Sequence, residues 1–346
     1  MRAVVYRDVG RVEVADVPDP RVQEPTDAIV RVGIAAICGS DLHFFHGKAP
    51  LEPGETNGHE AVGVVQAVGE AVRRVEPGDR VVVSFVIACG DCWFCRNGQT
   101  NLCQDFRNLG AGIFGGSLPG AQAELVRVPV ADVNLLRVPD ELEDERALFT
   151  GDILTTGVYA AGISGISPGD TVAVVGAGPV GFFAIQAARA AGAGEVLALE
   201  LEPERLALAE RVGAVPIDVR ARNAQTAVDE LTGGRGADVV IDAVGSAQAF
   251  DRSLDVARRG GTIVVVGMYT SEVVSAQIGV WWTRAITVRF AGICPVHAWW
   301  ERAMDAVRAG DIDPDPLVSH RLLLQDAALG YELFDTHRAT KVLLLP

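Results

Sequence analysis

The sequence Thr171–Gly181 reads TVAVVGAGPVG, in which a continuous apolar run leads directly into a glycine-rich turn. A β-branched run of this length, bounded by glycine, predicts a buried strand over Thr171–Val175. The alanine-rich segment Phe182–Ala191, which stops at Gly192, predicts a helix just after the turn. A strand, a G-x-G-x-x-G turn and a helix in this order are typical of dinucleotide-binding sites. The alternative is a glycine turn that serves packing alone.

The residues of the turn have distinct parts in this prediction. Gly176 allows the tight turn, Gly178 lets a pyrophosphate approach the backbone, and Gly181 lets the helix pack closely on the sheet. Pro179 and Val180 complete the turn, and the N-terminus of the following helix directs its dipole at the phosphates.

Glu200 ends the next predicted strand, Val196–Glu200, nineteen residues after Gly181. A carboxylate there accepts hydrogen bonds from both ribose hydroxyls and repels a 2′-phosphate, which favours NAD over NADP. Arg205 is a second candidate contact, because its guanidinium could tolerate a 2′-phosphate; it could instead pack along the adenine or pair with a helix neighbour. Val266, at the end of a later strand-like run, is assigned to the same cofactor site.

Strand and helix patterns alternate through the second half of the chain, as in the helix Glu204–Val212 and the strand Val239–Asp242. This alternation predicts a parallel sheet covered on both faces, which we assign to residues 152–291. Residues 1–151 instead contain short Val-rich runs broken by Gly, Pro and Asp, which predict a mostly antiparallel, barrel-like domain. Residues 292–346 are expected to return to that first domain.

The charge of the chain restricts its partners. The 346 residues include 30 Lys and Arg against 45 Asp and Glu, a net charge of −15. This field repels nucleic acid and anionic membranes, so neither is an expected partner. The apolar runs are too short to span a membrane, and the segment from Met1 to Asp8 lacks the apolar stretch of a signal peptide. We therefore expect a soluble, reduced, cytoplasmic protein.

Four cysteines lie close together, separated by two, two and seven residues: Cys89, Cys92, Cys95 and Cys103. Four thiolates from one short loop match the tetrahedral coordination of structural zinc, and no secretory context favours disulfides. An iron–sulfur cluster and chance clustering are the alternatives. Because four cysteines leave no open position, the lobe at residues 89–103 is predicted to be structural, with the chemistry elsewhere.

Two further groups of polar residues follow a strand-like run or a turn in the first domain, at Cys38 to His43 and at Gly58 to Glu60. Cys38 and His59 could each bind zinc, and a third protein ligand with a water would complete a catalytic site. Alternatively, Cys38 is a small buried apolar residue and His59 satisfies an ordinary hydrogen bond. The residues alone leave both interpretations open.

In this order, these features resemble the zinc-dependent medium-chain alcohol dehydrogenases over essentially the whole chain. Gly58–Glu60, Val62–Gly69 and Gly78–Val81 match that family's Gly-His-Glu, Val-Gly-rich and Gly-Asp-Arg-Val pattern, and the cysteine lobe has the family's spacing. The resemblance implies an α/β protein with a GroES-like β-barrel catalytic domain and a Rossmann domain, a doubly wound parallel sheet that binds the cofactor. It also implies a catalytic cleft between the domains and two zinc ions per chain, one catalytic and one structural.

The resemblance also assigns the ligands of the catalytic zinc. Cys38 and His59 match two of them, and Asp152 stands where the third is found, similar to the branch that includes the formaldehyde dehydrogenases. Without the resemblance, Asp152 would be interpreted as a helix N-cap. Glu60 matches a carboxylate behind the metal that can exchange onto it, or that only holds nearby groups.

Ser40 and His43 match the hydroxyl and the imidazole of a proton relay, whereas Asp41 is expected to bond the backbone of its turn. The implied reaction is reversible hydride transfer between an alcohol and NAD, giving an aldehyde or ketone, with zinc as Lewis acid. Phe85 matches a wall of the substrate pocket, although an aromatic residue there could simply be core. An apolar pocket favours secondary or aromatic alcohols.

Alternatives remain within and outside this interpretation. A polyol or sugar-derived dehydrogenase of the same fold would need a polar pocket. A non-catalytic protein that binds NAD and zinc would have no need of the three ligands and the relay together. Zinc-free quinone reductases are similar in fold but do not need the cysteine lobe. The segment Ile278–Arg284 matches the region where cofactor domains of the family associate, so a homo-oligomer, a tetramer or dimer, is expected.

Overall fold

The structure is a computed structural model that describes residues 1–110, 117–269, 273–275 and 277–346. The chain divides into two compact units. The first comprises Met1–Asp152, Pro295–Arg308 and Val318–Pro346, and the second comprises Ile153–Cys294 and Ala309–Leu317. The predicted return segment is therefore shared between the units. Ala309–Leu317 lies with the second unit, where the Gln186 side chain bonds both the N–H and the C=O of Asp313.

Up to Asp152, the described part of the first unit consists of short strands and four short helices. The strands are β1 (Arg2–Asp8), β2 (Arg11–Asp16), β3 (Ala28–Ile37), β4 (Glu60–Val68), β5 (Arg80–Val83), β6 (Val86–Ile87), β7 (Arg107–Leu109), β8 (Ser117–Leu118), β9 (Leu125–Val128) and β10 (Leu135–Arg137). The helices are α1 (Gly39–Phe45), α2 (Trp93–Arg96), α3 (Ala131–Asn134) and α4 (Asp144–Ala147), and 3-10 turns lie at Thr100–Leu102 and Leu148–Gly151.

The second unit alternates helices and strands, as predicted. Its elements are α5 (Ile153–Ser164), β11 (Thr171–Val175), α6 (Pro179–Ala190), β12 (Glu195–Glu200), α7 (Pro203–Arg211), β13 (Val215–Asp218), α8 (Ala224–Thr232), β14 (Ala237–Asp242), α9 (Ala247–Val256), β15 (Ala257–Val265), α10 (Ile278–Thr283) and β16 (Thr287–Phe290). The remaining elements are α11 (Val296–Ala309), β17 (His320–Leu323), α12 (Ala327–Asp335) and β18 (Val342–Leu345), with 3-10 turns at Asp315–Leu317 and Leu324–Asp326.

The strands of the second unit form a parallel sheet in the order β13-β12-β11-β14-β15-β16. Successive residues of the central strand β11 face opposite sides, so that Val172 and Val174 lie in one apolar cluster, and Ala173 and Val175 in the other. Both faces of the sheet are therefore buried, which confirms the doubly wound parallel fold.

The largest sheet of the first unit runs in the order β10-β5-β4-β3-β18-β17, with β9 also paired to β3. All of its pairs are antiparallel except that of β17 with β18. Ala36 of β3 lies opposite Glu60 of β4, and Ile37 lies opposite Val342 of β18. The end of β3 therefore meets the beginning of both neighbouring strands. The mostly antiparallel domain predicted for this part of the chain is confirmed.

The glycine turn has the geometry that its sequence predicts. Gly176 has a φ of 87°, which favours glycine, and α6 begins at Pro179, earlier than the predicted Phe182, because proline suits the first helical position. A Cβ on Gly181 would lie 1.9 Å from the carbonyl oxygen of Gly176. Only glycine therefore lets the helix start this close to the strand.

Within the described residues, no helix combines the length and the apolar character needed to cross a membrane.

Buried hydrogen bonds attach the cysteine lobe to the rest of the first unit. Asn134, at the end of α3, accepts from the N–H of Ala88 and donates to its C=O, both at 3.0 Å. His297 of α11 contacts the Asn134 amide oxygen through Nε2 at 2.9 Å and the Thr100 hydroxyl through Nδ1 at 2.8 Å. Because the amide oxygen can only accept, Nε2 carries the ring proton and Nδ1 accepts from Thr100. Burial lowers the pKa of His297 to about 4 from its ordinary value of 6.5.

We expect His297→Leu to destabilise the protein by roughly 1–3 kcal/mol at pH 7.5, because two buried hydrogen bonds are lost. The difference in the free energy of unfolding between this variant and the wild type should decrease by about 2 kcal/mol at pH 5. The neutral form of His297 is favoured in the folded state, so its contribution is complete above pH 6.5 and declines as the pH falls towards 4. Urea unfolding at the two pH values measures both quantities. If the difference in the free energy of unfolding does not change with pH, this account of His297 is contradicted.

Candidate active site

Cys38, His59 and Asp152 come together at one end of the main sheet of the first unit. Cys38 directly follows β3, and His59 directly precedes β4, so the antiparallel pairing of these strands makes the two residues neighbours. Asp152 follows the 3-10 turn that ends at Gly151, where a Cβ would lie 2.4 Å from the carbonyl oxygen of Val83 in β5. Glycine thus lets this turn approach the sheet.

The three side chains present one potential ligand atom each, all within 4.8 Å of one another. Nε2 of His59 lies 3.2 Å from Oδ2 of Asp152, and the same oxygen lies 3.9 Å from Sγ of Cys38. Each residue is at most 7 % exposed. A thiolate, an imidazole and a carboxylate are the donors that zinc takes in proteins, and three of them leave a fourth position free. The donor set therefore fits a catalytic zinc.

Asp41 orients two of these residues. Its Oδ1 lies 3.2 Å from Nδ1 of His59, and its Oδ2 accepts from the backbone N–H of Cys38 at 2.9 Å. The backbone bond was expected, but the contact with His59 was not. Burial acts to lower the pKa of His59, yet the Asp41 charge and hydrogen bonds with Asp152, Asp41 and Cys38 raise it well above its ordinary value.

A buried chain of hydrogen bonds supports Asp41 from behind, and sequence reasoning missed it. Gln122 donates to Oδ2 of Asp41 at 3.1 Å and accepts from the hydroxyl of Tyr331 at 2.9 Å. The Tyr331 hydroxyl in turn accepts from the Asn57 amide at 2.5 Å. These residues come from distant parts of the sequence, so no local motif signals them.

Glu60 lies behind His59 at the start of β4 and is fully buried. Its Oε2 lies 2.5 Å from Nζ of Lys341, which is also fully buried and precedes β18. Burial raises the pKa of the Glu60 carboxyl, although the Lys341 charge opposes the shift. Glu60 was predicted to be near the metal site, whereas Lys341 was not identified from the sequence.

Ser40 and His43 both lie on α1, which begins just after Cys38. The Ser40 hydroxyl lies 3.3 Å from Sγ of Cys38 and 3.4 Å from Nε2 of His59, so it faces the candidate metal position. Half-burial lowers the pKa of His43, and the nearby charges of Lys48 and His46 lower it further.

Phe85 lies between β5 and β6, and its ring centroid is 6.2 Å from that of His59. Its backbone N–H donates to the carbonyl oxygen of Gly151 at 3.2 Å, next to Asp152. The predicted pocket residue is therefore adjacent to two of the candidate ligands.

The four cysteines of the lobe also converge, with Sγ atoms within 4.8 Å of one another. None of the cysteines in the described residues forms a disulfide. Backbone N–H groups point at the sulfurs: Cys103 accepts from Cys89 and Asp105, both at 3.3 Å. Hydrogen bonds from the backbone of Gln104 and Cys95 lower the pKa of Cys92 to about 6. Burial instead raises the pKa of Cys95 and Cys103, so those two thiols need a bound cation to become thiolates. Four converging sulfurs are the ligand set of a structural zinc, which supplies that charge.

The predicted cofactor residues gather at the carboxyl end of the parallel sheet in the second unit. Glu200 accepts from the backbone N–H of Ala177 at 2.8 Å and from that of Leu201 at 2.6 Å, which fixes its carboxylate beside the glycine turn. Arg205 lies close by, with Nη1 3.8 Å from Oε2 of Glu200. Val266 follows β15 and bonds the carbonyl oxygen of Asp242 at 2.9 Å. In open α/β sheets, ligands bind at this end of the strands.

Two parts of the chain match known protein families. Residues 24–140 match the family described as alcohol dehydrogenase GroES-like domain, and residues 179–308 match the family described as zinc-binding dehydrogenase.

Individual relatives align over the whole chain. The chain is 36 % identical to the uncharacterized zinc-type alcohol dehydrogenase-like protein AdhB of Bacillus subtilis, over 100 % of both proteins. Among solved structures, alcohol dehydrogenase TADH from Thermus sp. ATN1 is 44 % identical, with a TM-score of 0.96 over 100 % of this chain and 99 % of that one. A zinc-binding dehydrogenase from Sinorhizobium meliloti, bound to NADP, is 34 % identical, with a TM-score of 0.86 over 100 % of this chain and 99 % of that one. The chain therefore belongs to the zinc-dependent medium-chain alcohol dehydrogenase family.

Proposed function

We propose that this chain is an NAD-dependent dehydrogenase of secondary or aromatic alcohols, with a catalytic zinc held by Cys38, His59 and Asp152. Its family makes it a zinc-dependent alcohol oxidoreductase that uses a nicotinamide cofactor. The observation that carries the proposal is the convergence of the three ligand atoms in a buried site separate from the cysteine lobe. The reaction converts an alcohol and NAD⁺ into a carbonyl compound, NADH and a proton, and is reversible.

The residues around the site each support this chemistry. When bound, zinc supplies a Lewis acid that polarises the oxygen of the alcohol or carbonyl. Asp41 faces Nδ1 of His59, so it fixes the tautomer and leaves Nε2 as the ligand atom. Asp152 and Cys38 contribute negative charge, which neutralises a divalent ion in a buried site.

Ser40 and His43 can carry the proton that alcohol oxidation releases. The Ser40 hydroxyl lies beside Cys38 and His59, where it can accept a proton from the substrate and donate its own. Since the pKa of His43 is lowered by burial and by neighbouring cations, its imidazole is neutral at pH 7 and can accept that proton. His43 is also half-buried, so it can pass the proton on to solvent.

The cofactor preference follows from Glu200. Its carboxylate is held by backbone N–H groups next to the glycine turn: Oε1 accepts from Leu201 and Glu202, and Oε2 accepts from Ala177. Oε2 therefore has a second lone pair that can accept a hydrogen bond from a ribose hydroxyl. A fixed negative charge at this position repels a 2′-phosphate, and the proximity of Arg205 only partly offsets that charge. We therefore assign NAD as the preferred cofactor.

A second copy of the chain is the proposed partner of the exposed edge of the second unit. β16 is the last strand of the sheet, and apolar side chains are exposed on it and on α10, among them Trp282 at 80 % and Phe290 at 71 %. Among the residues that the structure describes, β16 pairs with β15 alone, and such an open strand edge with an apolar surface is suited to pairing with the same edge of another copy. We expect Trp282→Glu to yield monomers in sedimentation velocity, because it charges that surface. The same change at the exposed Trp93 of the cysteine lobe is the control, and a wild-type monomer would contradict the proposal.

We expect Cys38→Ser to lower kcat/KM by at least about 100-fold while leaving the unfolding midpoint nearly unchanged. Cys95→Ser should instead lower the unfolding midpoint, because a structural zinc contributes to folding. Zinc content should fall from two to one per chain in each variant. NADH formation over secondary, aromatic, primary and polyhydroxy alcohols measures the activity.

The two variants and the alcohol panel separate the alternatives. If both variants fail in the same way, the division into catalytic and structural zinc is wrong. If polyhydroxy alcohols give the highest kcat/KM, the polyol dehydrogenase replaces the present assignment. If the wild type binds zinc and NAD but oxidises none of these alcohols, the result favours the non-catalytic interpretation.

Glu200→Ala should reduce the preference for NAD over NADP about tenfold or more, which corresponds to ~1.4 kcal/mol. The ratio of kcat/KM with the two cofactors measures this preference. Glu204→Ala is the control. It removes one negative charge from the first turn of α7, the helix after Glu200, and it should leave the ratio unchanged. An unaltered ratio in Glu200→Ala would exclude Glu200 as the source of discrimination.

A further inference from the structure

Lys341 is a fully buried lysine next to the candidate catalytic site. Lysine is almost never fully buried unless its ammonium is paired. Here Nζ lies 2.5 Å from Oε2 of Glu60 and 5.7 Å from the ring centroid of Phe149. Its backbone is fixed as well, because the carbonyl oxygen of Lys341 accepts from the N–H groups of Ser319 and His320 at 3.1 and 3.2 Å.

The position of Lys341 connects it to all three segments that carry candidate zinc ligands. Val342 lies opposite Ile37, so the preceding lysine sits beside the end of β3, where Cys38 follows. Its ion-pair partner Glu60 follows His59 in sequence. Phe149 lies three residues before Asp152 in the turn that delivers that ligand.

Glu60 has an unused capacity for ligation. Both of its carboxylate oxygens are buried and accept no hydrogen bond among the residues that the structure describes, and Lys341 contacts Oε2 as an ion pair. Carboxylate oxygens are good zinc ligands. Glu60 directly follows His59 in sequence, and its carboxyl interacts electrostatically with both Asp152 and His59. The thiolate of Cys38 and the carboxylate of Asp152 already balance a divalent ion, so Glu60 is a third anion, and Lys341 supplies the charge that balances it.

We propose that Lys341 is a positioning residue that holds Glu60 beside the metal centre as a carboxylate that is not a ligand, which keeps one position open for substrate. The inference rests on the proposed function, in which Cys38, His59 and Asp152 hold zinc. Without the lysine charge, Glu60 would satisfy its buried carboxylate by ligating the metal, and four protein ligands would close the site.

The test uses the full-length protein with cobalt(II) in place of zinc and imidazole as an external ligand. In the wild type, imidazole should bind the open position and shift the cobalt absorption bands. In Lys341→Met the metal should remain bound, but imidazole should no longer shift the bands, and kcat/KM of the zinc enzyme should fall about 10- to 100-fold.

Two matched variants test whether the lysine charge and the Glu60 carboxylate cause the loss of the imidazole response. Lys341→Arg keeps the charge and should respond to imidazole like the wild type. The double variant Lys341→Met/Glu60→Gln removes the charge together with the blocking carboxylate, so its response should be restored. If Lys341→Met does not fold, Lys341→Gln takes its place, with the same expected loss of response.

Two results would overturn the inference: an unchanged imidazole response in the neutral variant, or a response still absent in the double variant. Failure of the proposed function itself would look different. In that case the cobalt spectrum of the wild type would be the same as that of Cys38→Ser, since the only thiolate-bound cobalt would be in the cysteine lobe.

Discussion

The candidate site depends on the hydrogen-bonded pairing of β3 with β4 on one side and with β18 on the other. β3 is antiparallel to both of these neighbours, so its end coincides with the beginnings of β4 and β18. The register thereby brings Cys38, His59 and Lys341 to the same end of the sheet. A shift of one residue in either pairing would turn every side chain of the shifted strand to the opposite face. The geometry of the site is thus a property of the sheet and not of a flexible loop.

The two candidate zinc centres stabilise negative charge in different ways. In the cysteine lobe, backbone N–H groups point at the sulfurs, so local turns of the chain supply the partners. In the candidate catalytic site, the anions are side chains whose partners come from other segments of the chain: Asp41 faces His59, and Glu60 faces Lys341. A closed site can be built from one short segment, whereas a site with an open position needs support from the whole domain.

The same contrast between local patterns and partners from distant segments explains which features can be predicted from the sequence. The glycine turn, the cysteine lobe and the strand Thr171–Val175 are local patterns whose spacing is fixed by backbone geometry, and the structure has them where they were predicted. Cys38, His59 and Asp152 are far apart in sequence, and only the family resemblance joined them before the structure was known. Lys341 and His297 escaped prediction, because a single ionisable residue in sequence carries no sign that it will be buried and hydrogen-bonded or paired.

The insertion of β18 between β3 and β17 has a consequence for the order in which the chain can fold during synthesis. β3 is made early, but its neighbour β18 is made only after the whole sheet of the second unit has been translated. The second unit is nearly continuous in sequence, so it can complete its sheet while the first still exposes a strand edge. The catalytic unit is therefore the first to be translated, but its main sheet can be completed only after the second unit has been made.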